Sequence, residues 1–209
     1  MTDAAYLQIV PAPSMPTAKI QTFRRREQLP LMCDRIWQIE RGVIRVVTWN
    51  DNGHITTLGF WGRGDIVGQP LTRQQPCQIE CLASVKAIAI PLGNYSCQWQ
   101  TVLLSHLWHQ EDLLRIIHQP SVLDRLSQLL HWLAQRFGKP VPQGHLLDPL
   151  LTHQQLAETI GTSRVTVTRA LKQLEEEGKL IKFNKSSGQW TGDTQFAFSR
   201  RTLLLLQNR

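Results

Sequence analysis

Two arginines five positions apart, Arg164 and Arg169, are the side chains of this sequence best suited to reading an ordered pattern of hydrogen-bond acceptors. A guanidinium group can donate two parallel hydrogen bonds to O6 and N7 of guanine in the major groove of DNA. Val165, Thr166 and Thr168 lie between the arginines, and their methyl groups suit contact with the methyl group of thymine. The composition predicts direct reading of base edges, whereas the arginine spacing alone would also fit a solvated helix face.

These residues stand in a segment, residues 151–183, that contains two helix starts and two helix stops. Thr152 can cap a first helix that ends at Gly161, and Ser163 can cap a second helix that ends at Gly178. Apolar residues recur at helical spacing, with Leu156, Ala157 and Ile160 in the first helix and Val167, Ala170, Leu171 and Leu174 in the second. The pattern predicts a helix-turn-helix whose second helix carries both arginines in its exposed first turns.

A second group of side chains would hold the DNA backbone or support the reading helix. Its members are Thr152, Ser163, Thr166 and Thr168 in the helix pair, and Lys182 and Lys185 after it. Residues 179–183 predict a strand and the polar run 184–192 a turn, which together would form a wing that brings the two lysines to phosphates. Lysines in loops are also commonly only solvated.

Residues 19–91 form short β-like runs between turns. Residues 35–39 and 85–90 alternate apolar and polar side chains, and Asp51, Asn52 and Gly53 separate two further runs as in a hairpin. The other glycines that punctuate this stretch are Gly42, Gly59, Gly62, Gly64 and Gly68. Many short strands with glycine corners predict a β-barrel or roll over residues 19–94, after a loose arm of residues 1–18.

Residues 95–119 change to a helical period. Leu103, Leu107, Gln110, Leu114 and Ile117 follow one another at spacings of 4, 3, 4 and 3, which is the spacing of a coiled-coil seam. We therefore expect this helix to pair two chains into a homodimer. The alternative is a single helix that packs on the β-domain of its own chain. The pattern spans only two heptads, which is too short to distinguish this alternative from a dimer helix.

The C-terminal part of the chain, residues 120–209, forms the predicted DNA-binding domain. Pro120 stops the long helix, and Ser121 can cap another helix that ends at Gly138, before a connection to the helix-turn-helix. The formal net charge is +7, with 13 basic and 10 acidic residues before Gly138 and 10 and 6 from it onward. The more basic C-terminal part favours a polyanionic partner, although such an excess also serves solubility. No role is predicted for residues 195–209.

Composition disfavours several other classes of protein. The N-terminus lacks a charged region followed by an apolar one, and no run approaches the length needed to cross a bilayer, so we expect a cytoplasmic protein without a membrane partner. The four cysteines form no C-x-x-C pair, which disfavours a disulfide scaffold and a zinc site. We identify no catalytic constellation, and we expect no bound metal, no cofactor and no enzymatic activity.

The order of strand roll, long helix, second helix and winged helix-turn-helix resembles the Crp/Fnr superfamily of bacterial transcription regulators. The corner Gly64-Asp65-Ile66-Val67-Gly68 stands where that family has Gly-Glu/Asp-x-x-Gly. The run Gly161-Thr162-Ser163-Arg164-Val165-Thr166-Val167-Thr168-Arg169 is similar to the family's DNA signature, most of all to that of cyanobacterial nitrogen-control regulators. The resemblance implies an α+β fold with an N-terminal cyclic-nucleotide-binding-like β-roll, a long dimerisation helix and a C-terminal winged helix-turn-helix.

The resemblance also implies roles for individual residues and partners. Arg164, Val165 and Arg169 would read bases in a palindrome resembling GTA-N8-TAC. The homodimer would bind double-stranded DNA, with RNA polymerase as a further partner.

An effector pocket of the roll is implied in the same way. Its candidate residues are Gly64, Asp65, Gly68, Gln69 and Arg73. Cyclic-nucleotide members of the family follow the corner with a glutamate for the ribose and an Arg-Ser or Arg-Thr pair for the phosphate, and this sequence has neither. Pro70 and Pro76 disfavour the short helix whose amide groups would hold a phosphate. We therefore expect a regulator that does not depend on cyclic AMP, and the sequence does not identify its effector.

Other functions fit parts of the sequence. Oxygen-sensing members of the family cluster cysteines near the N-terminus for an iron–sulfur cluster, whereas Cys33 stands alone and Cys77 and Cys81 lie on or beside a strand. A haem sensor would use histidines such as His106 and His109, which share a helix face. A cupin-type metal enzyme needs several histidines on adjacent strands, and the strand region offers a single one. A structural DNA-binding protein without sequence preference is the remaining alternative.

Overall fold

The computed structural model describes residues 19–92, 99–141, 144–147, 151–182 and 203–206. The strands are β1 (Ile20–Phe23), β2 (Gln28–Leu29), β3 (Arg35–Arg41), β4 (Ile44–Trp49), β5 (Ile55–Trp61), β6 (Ile66–Val67), β7 (Cys77–Cys81), β8 (Val85–Pro91), β9 (Lys139–Val141), β10 (Gly144–Leu147), β11 (Leu180–Lys182) and β12 (Leu203–Leu206). The helices are α1 (Trp99–Ile117), α2 (Val122–Phe137), α3 (His153–Ile160) and α4 (Arg164–Glu176), with a short 3-10 helix at Gln69–Leu71. The predicted arm, residues 1–18, lies outside the described residues.

The N-terminal roll consists of two four-stranded antiparallel sheets, with strand orders β1-β8-β3-β6 and β2-β7-β4-β5. Alternating strands bury one face in a shared core that includes Trp37, Ile39 and Ile44. The predicted hairpin joins β4 to β5, and Gly53 in its turn adopts a φ of 72°, a left-handed conformation that glycine accepts readily. The β-roll predicted from the sequence is thus confirmed.

The sheet β2-β7-β4-β5 presents different chemistry on its two faces. Arg45 on β4 pairs in register with Glu80 on β7, and the next pair is Val46 with Ile79. Because successive side chains on a strand point to opposite faces, the two charged residues share the outer face and the two apolar residues share the inner one. Val46 and Ile79 accordingly belong to the roll core.

Helices α1 and α2 connect the roll to the C-terminal domain. Helix α1 ends at Ile117, three residues before the predicted stop at Pro120. Ser121 caps α2, as predicted, because its hydroxyl accepts hydrogen bonds from two backbone N–H groups of the first turn. Helix α2 ends at its predicted C-cap, Gly138. No helix within the described ranges combines the length and apolar composition that crossing a membrane requires.

The C-terminal domain packs α2, α3 and α4 with a four-stranded sheet of order β11-β12-β10-β9. Two of its features differ from the sequence prediction. Residues 139–149 were expected to be a connection, but residues 139–141 and 144–147 form the antiparallel pair β9 and β10. Residues 203–206, which had no predicted role, form β12 and pair with both β10 and β11. The predicted wing turn, residues 184–192, lies outside the described residues.

Candidate nucleic-acid interface

The helix-turn-helix begins with a capping box. The Gln155 backbone N–H donates to the Thr152 hydroxyl at 3.1 Å, and the Thr152 backbone N–H donates to the Gln155 side-chain oxygen at 2.9 Å. Gly161 ends α3 with a φ of 66°, in the left-handed region where a side chain is strained. The Ser163 hydroxyl then caps α4 by accepting from the Thr166 backbone N–H at 3.1 Å. These local bonds define where α3 begins and ends and where α4 begins.

Helix α4 separates its side chains into a buried face and an exposed face. Val167, Ala170, Leu171 and Leu174 are buried in the domain core. Arg164, Val165 and Arg169, the predicted base readers, lie on the exposed face, and Val165 is 59% exposed although it is apolar. An exposed face of this composition at a helix N-terminus is suited to entering a major groove.

The predicted supporting threonines and serine are engaged within the protein. The Thr168 hydroxyl donates to the Arg164 carbonyl at 2.9 Å and lies 2.9 Å from His153 Nδ1. The Ser163 and Thr166 hydroxyls lie 2.8 Å apart. These hydroxyls therefore have partners within the protein, and their role in supporting α4 or contacting the DNA backbone stays a prediction.

Two residues at this interface were not singled out by the sequence. His153 joins the start of α3 to the exposed face of α4 through Thr168. Arg125 on α2 donates from Nη1 to the Ile160 carbonyl at 2.8 Å, next to the turn between the two helices. The Arg125 contact joins residues 35 positions apart, so no local pattern could have indicated it. The predicted phosphate contacts Lys182 and Lys185 fall at the end of β11 and outside the described residues, respectively.

A buried ion pair joins this interface to the roll. Arg45 is only 2% exposed, and it donates to Glu80 of the roll at 2.8 Å and to Glu158 of α3 at 2.9 Å. Two carboxylates thus compensate one buried guanidinium, which would otherwise be costly to remove from water. The apolar residues Phe60 and Leu82 of the roll belong to the same core as α3 and α4.

A second polar contact crosses the same boundary. A β-bulge between β4 and β5 shifts their register by one residue at Leu58. Leu58 consequently packs against the roll core, while Thr57 meets α3, where its hydroxyl lies 3.0 Å from that of Thr159. Thr159 donates to the Gln155 carbonyl at 2.7 Å, so Thr57 is the donor in the contact between the two threonines.

A cavity of about 230 Å³ lies between the roll and α1. Its lining includes Val46, Leu58, Trp61, Gly68, Arg73, Ile79, His106 and Gln110. Of the predicted pocket residues, Gly68 and Arg73 line this cavity. Asp65 does not, because its carboxylate pairs with Arg136 of α2 at 2.6 Å and accepts from the Gly62 backbone N–H at 2.7 Å.

Two other pocket candidates also lie away from the cavity lining. Gly64 occupies the turn before β6 with a φ of 88°, and the Gln69 side chain accepts from the Cys33 thiol at 3.4 Å. One expectation for this region is wrong, since residues 69–71 do form a short 3-10 helix that contains Pro70. Proline is tolerated there because the first turn of a helix needs no backbone N–H donor.

Two histidines of α1, His106 and His109, have pKa values below the ordinary value for histidine, and His106 lines the cavity. Burial lowers the pKa of His106, and the Trp61 indole N–H donates to its Nδ1 at 2.8 Å. A ring nitrogen that accepts a hydrogen bond carries no proton, so the His106 proton resides on Nε2. Burial also lowers the pKa of His109 to about 4, and the nearby Arg136 guanidinium acts in the same direction. Within the described residues, no group of three or more potential ligands is arranged around a metal position.

Comparison with known proteins defines the class to which this roll and helix-turn-helix belong. The profile of the Crp-like helix-turn-helix domain matches residues 124–187. TTHB099 of Thermus thermophilus, described as a transcriptional regulator of the CRP family, superposes with a TM-score of 0.70 at 18% identity, over 90% of this chain and 92% of its own.

Two relatives in sequence are cyanobacterial regulators. The regulatory protein CysR of Synechococcus elongatus is 34% identical over 172 residues, which are 81% of this chain and 82% of CysR. The global nitrogen regulator of Synechocystis is 39% identical over 83 residues, or 40% of this chain and 36% of the regulator. The chain belongs to the Crp/Fnr family of transcription regulators, which confirms the resemblance seen in its sequence.

Proposed function

We propose that this regulator acts in the cytoplasm as a homodimer that binds a palindromic DNA site resembling GTA-N8-TAC and has no catalytic activity. The observation that carries the proposal is the exposed face of α4, where Arg164, Val165 and Arg169 stand on a helix capped at its start and buried along its other face. An arginine can donate two hydrogen bonds to guanine, and a valine can pack against the methyl group of thymine. Both bases occur in the proposed half-site GTA.

Dimerisation is supported by the outer face of α1. Leu103, Leu107 and Leu114 of the predicted seam are 42%, 58% and 55% exposed. Leu104 and Trp108, which the heptad pattern did not include, widen this apolar face. Gln110 and Ile117 are half-buried against their own chain. An apolar face of this size suits a second copy of the helix, because a two-fold DNA site requires a two-fold protein.

We further propose that the cavity in the roll binds a small effector other than cyclic AMP. The lining combines apolar side chains with the polar side chains of Thr72, Arg73, Gln74, His106 and Gln110. A mixed lining with one cationic group suits a small organic anion that has an apolar body. The glutamate and the Arg-Ser or Arg-Thr pair with which cyclic-nucleotide members of the family bind their ligand are absent from this sequence.

The two faces of one sheet offer a route from this cavity to the DNA-binding helices. Val46, Leu58 and Ile79 line the cavity from β4, β5 and β7, and on the same three strands Arg45, Thr57 and Glu80 face or support α3. Closely packed sheets transmit displacements, so we propose that occupancy of the cavity shifts α3 directly. Movement of the paired α1 helices against each other would also affect DNA binding, because it would change the spacing of the two α4 helices.

Selection of bound sequences from a pool of random duplexes tests the proposed function. The purified chain should enrich two inverted half-sites resembling GTA and TAC, with centres about 34 Å apart, the repeat of the major groove. Enrichment of a single half-site would contradict the dimer, and an unenriched pool would contradict sequence-specific binding.

A further inference from the structure

Arg125 on α2 holds the turn between the two helices of the helix-turn-helix. The last carbonyl groups of a helix have no donor within the helix. The Ala157 carbonyl accepts from the backbone N–H groups of the turn itself, whereas the carbonyl of Ile160, the last residue of α3, accepts from Arg125 Nη1 at 2.8 Å. A Cβ atom added to Gly161 in the turn would lie 4.0 Å from the same nitrogen. A cationic group at this end of a helix is also favoured by the helix dipole.

The arginine is a costly choice for this position. Its side chain is half-buried, and its Nε is buried without a hydrogen-bond partner among the residues that the structure describes. A buried donor without a partner costs free energy, and an apolar side chain of similar length would avoid that cost. The hydrogen bond to Ile160 therefore points to a role for Arg125 beyond filling space.

That role is direction, which apolar packing does not supply. Helices α2, α3 and α4 share one apolar core, and burial of apolar surface has no preferred direction. A hydrogen bond weakens steeply when its angle departs from linearity. The bond from Arg125 to Ile160 therefore fixes the turn, and α4 immediately after it, against the first turn of α2.

Helix α2 is joined in its turn to α1, the proposed dimer helix. Arg115 Nη1 on α1 donates to the Gln128 side-chain oxygen on α2 at 3.3 Å. Trp132 Nε1 on α2 donates to the Asp112 carboxylate on α1 at 3.3 Å. A continuous series of side-chain contacts thus runs from α1 through α2 and Arg125 to the turn before α4.

We propose that Arg125 is a positioning residue that sets the length of the spacer between the two half-sites. This inference rests on the proposed homodimer and its palindromic site. In a dimer held together at α1, the distance between the two α4 helices depends on where each α4 lies relative to its own α1, and this distance must match the separation of the half-sites. One added base pair moves a half-site by about 3.4 Å along the DNA and rotates it by about a tenth of a helical turn. An α4 helix held by Arg125 resists such a displacement, whereas one held by apolar packing alone follows it.

The test measures affinity for GTA-N7-TAC, GTA-N8-TAC and GTA-N9-TAC duplexes of equal total length, and for a shuffled duplex. Arg125→Met removes the charge and the hydrogen bond but keeps an unbranched side chain. Arg125→Lys keeps a cation that can donate to the Ile160 carbonyl. The control Arg63→Met removes an exposed arginine from the turn before β6, away from the helix-turn-helix.

The wild type and the control should bind the N8 duplex about tenfold or more tightly than the N7 and N9 duplexes, because a displaced half-site loses base contacts. In Arg125→Met this preference should fall by about threefold or more, the effect of losing one hydrogen bond, and Arg125→Lys should retain part of it. Arg125→Met should still prefer the N8 duplex to the shuffled one, because it keeps Arg164 and Arg169. A preference is a ratio of affinities measured on one protein, so a smaller folded fraction does not change it.

A spacer preference that is unchanged in Arg125→Met, or absent from the wild type, would overturn the positioning role. Equal losses of affinity on all four duplexes with a smaller salt dependence would also overturn it, because Arg125 would then contact a phosphate. A wild-type protein that does not distinguish the N8 palindrome from the shuffled duplex would instead contradict the proposed function.

Discussion

Arg45 and Glu158 form a 2.9 Å ion pair between the roll and the first helix of the helix-turn-helix, although they are 113 positions apart in the sequence. The guanidinium is almost completely buried, and Glu80 holds its other side at 2.8 Å. The DNA-binding helices are thus attached to the roll of their own chain by a charged group as well as by apolar packing.

Glu158→Gln should lower the free energy of unfolding by about 1.5–3 kcal/mol, the contribution typical of a hydrogen bond to a charged group. Arg45 keeps Glu80, so the variant should still fold. Urea titration followed by tryptophan fluorescence measures the change. The matched control is Glu176→Gln, which breaks the exposed Lys172–Glu176 pair and should cost less than about 0.5 kcal/mol. Equal effects of the two substitutions would show that the Arg45 pair does not fasten the domains.

Filling the cavity should alter DNA binding through the sheet. Leu58→Phe places a larger side chain in the cavity, and we expect it to change affinity for the palindrome by about fivefold or more, the lower end of typical coupling between sites. The same substitution should have a smaller effect in a Thr57→Val, Glu158→Gln background, where the hydroxyl contact of β5 with α3 is removed and the ion pair of β4 with α3 is lost. The affinity for the palindrome should be measured by fluorescence anisotropy for four proteins: the wild type, Leu58→Phe, the Thr57→Val, Glu158→Gln background, and that background with Leu58→Phe added. If Leu58→Phe changes the affinity equally in both backgrounds, the sheet does not transmit the change from the cavity to α3.

Cyclic AMP should leave DNA affinity unchanged. The sequence lacks the glutamate and the Arg-Ser or Arg-Thr pair that hold the nucleotide in cyclic-nucleotide members of the family, and a ligand shifts an equilibrium only by its difference in affinity for the two states. Affinity for the palindrome should be measured by anisotropy with and without the nucleotide, with isothermal calorimetry as an independent measure of nucleotide binding. A tenfold or larger gain in DNA affinity would refute our interpretation of the pocket.

Leu107→Glu, Leu114→Glu should separate the dimer into folded monomers. Each leucine contributes burial worth about 1.5–3 kcal/mol, and each glutamate would appear twice in a symmetric interface. Sedimentation velocity measures the molecular mass. Ile20→Glu is the control, since Ile20 is an equally exposed apolar residue, 54%, on the edge of the roll. A double variant that remains dimeric would place the interface elsewhere.

The parts of the structure that are encoded by neighbouring residues were predictable from the sequence. The caps Thr152, Gly161 and Ser163 act within one helix turn, and they located both helices of the helix-turn-helix. In contrast, the Arg45–Glu158 pair depends on how two domains pack, which no local pattern records.

Two other features of the structure, the strand pair β9 and β10 and the ion pair of Asp65, also differ from the sequence prediction. Strands β9 and β10 are three and four residues long, and Pro140 lies in the first, so they lack the alternation that predicts a strand. The family resemblance implies a pocket role for Asp65 because it lies in the corner Gly64-Asp65-Ile66-Val67-Gly68, but the sequence does not show that Arg136 of a distant helix binds its carboxylate.

Base reading by the exposed face of α4 is tested by the affinity of Arg164→Ala and Arg169→Ala for the GTA-N8-TAC palindrome and for a shuffled duplex of the same length. Each substitution should cost about 1–3 kcal/mol on the palindrome and much less on the shuffled duplex, because each removes a bidentate contact to guanine. The control Lys172→Ala, from the exposed face of the same helix, should weaken binding to both duplexes equally. Equal losses on both duplexes for Arg164→Ala and Arg169→Ala would show that the arginines hold only phosphates and that α4 does not read bases through them.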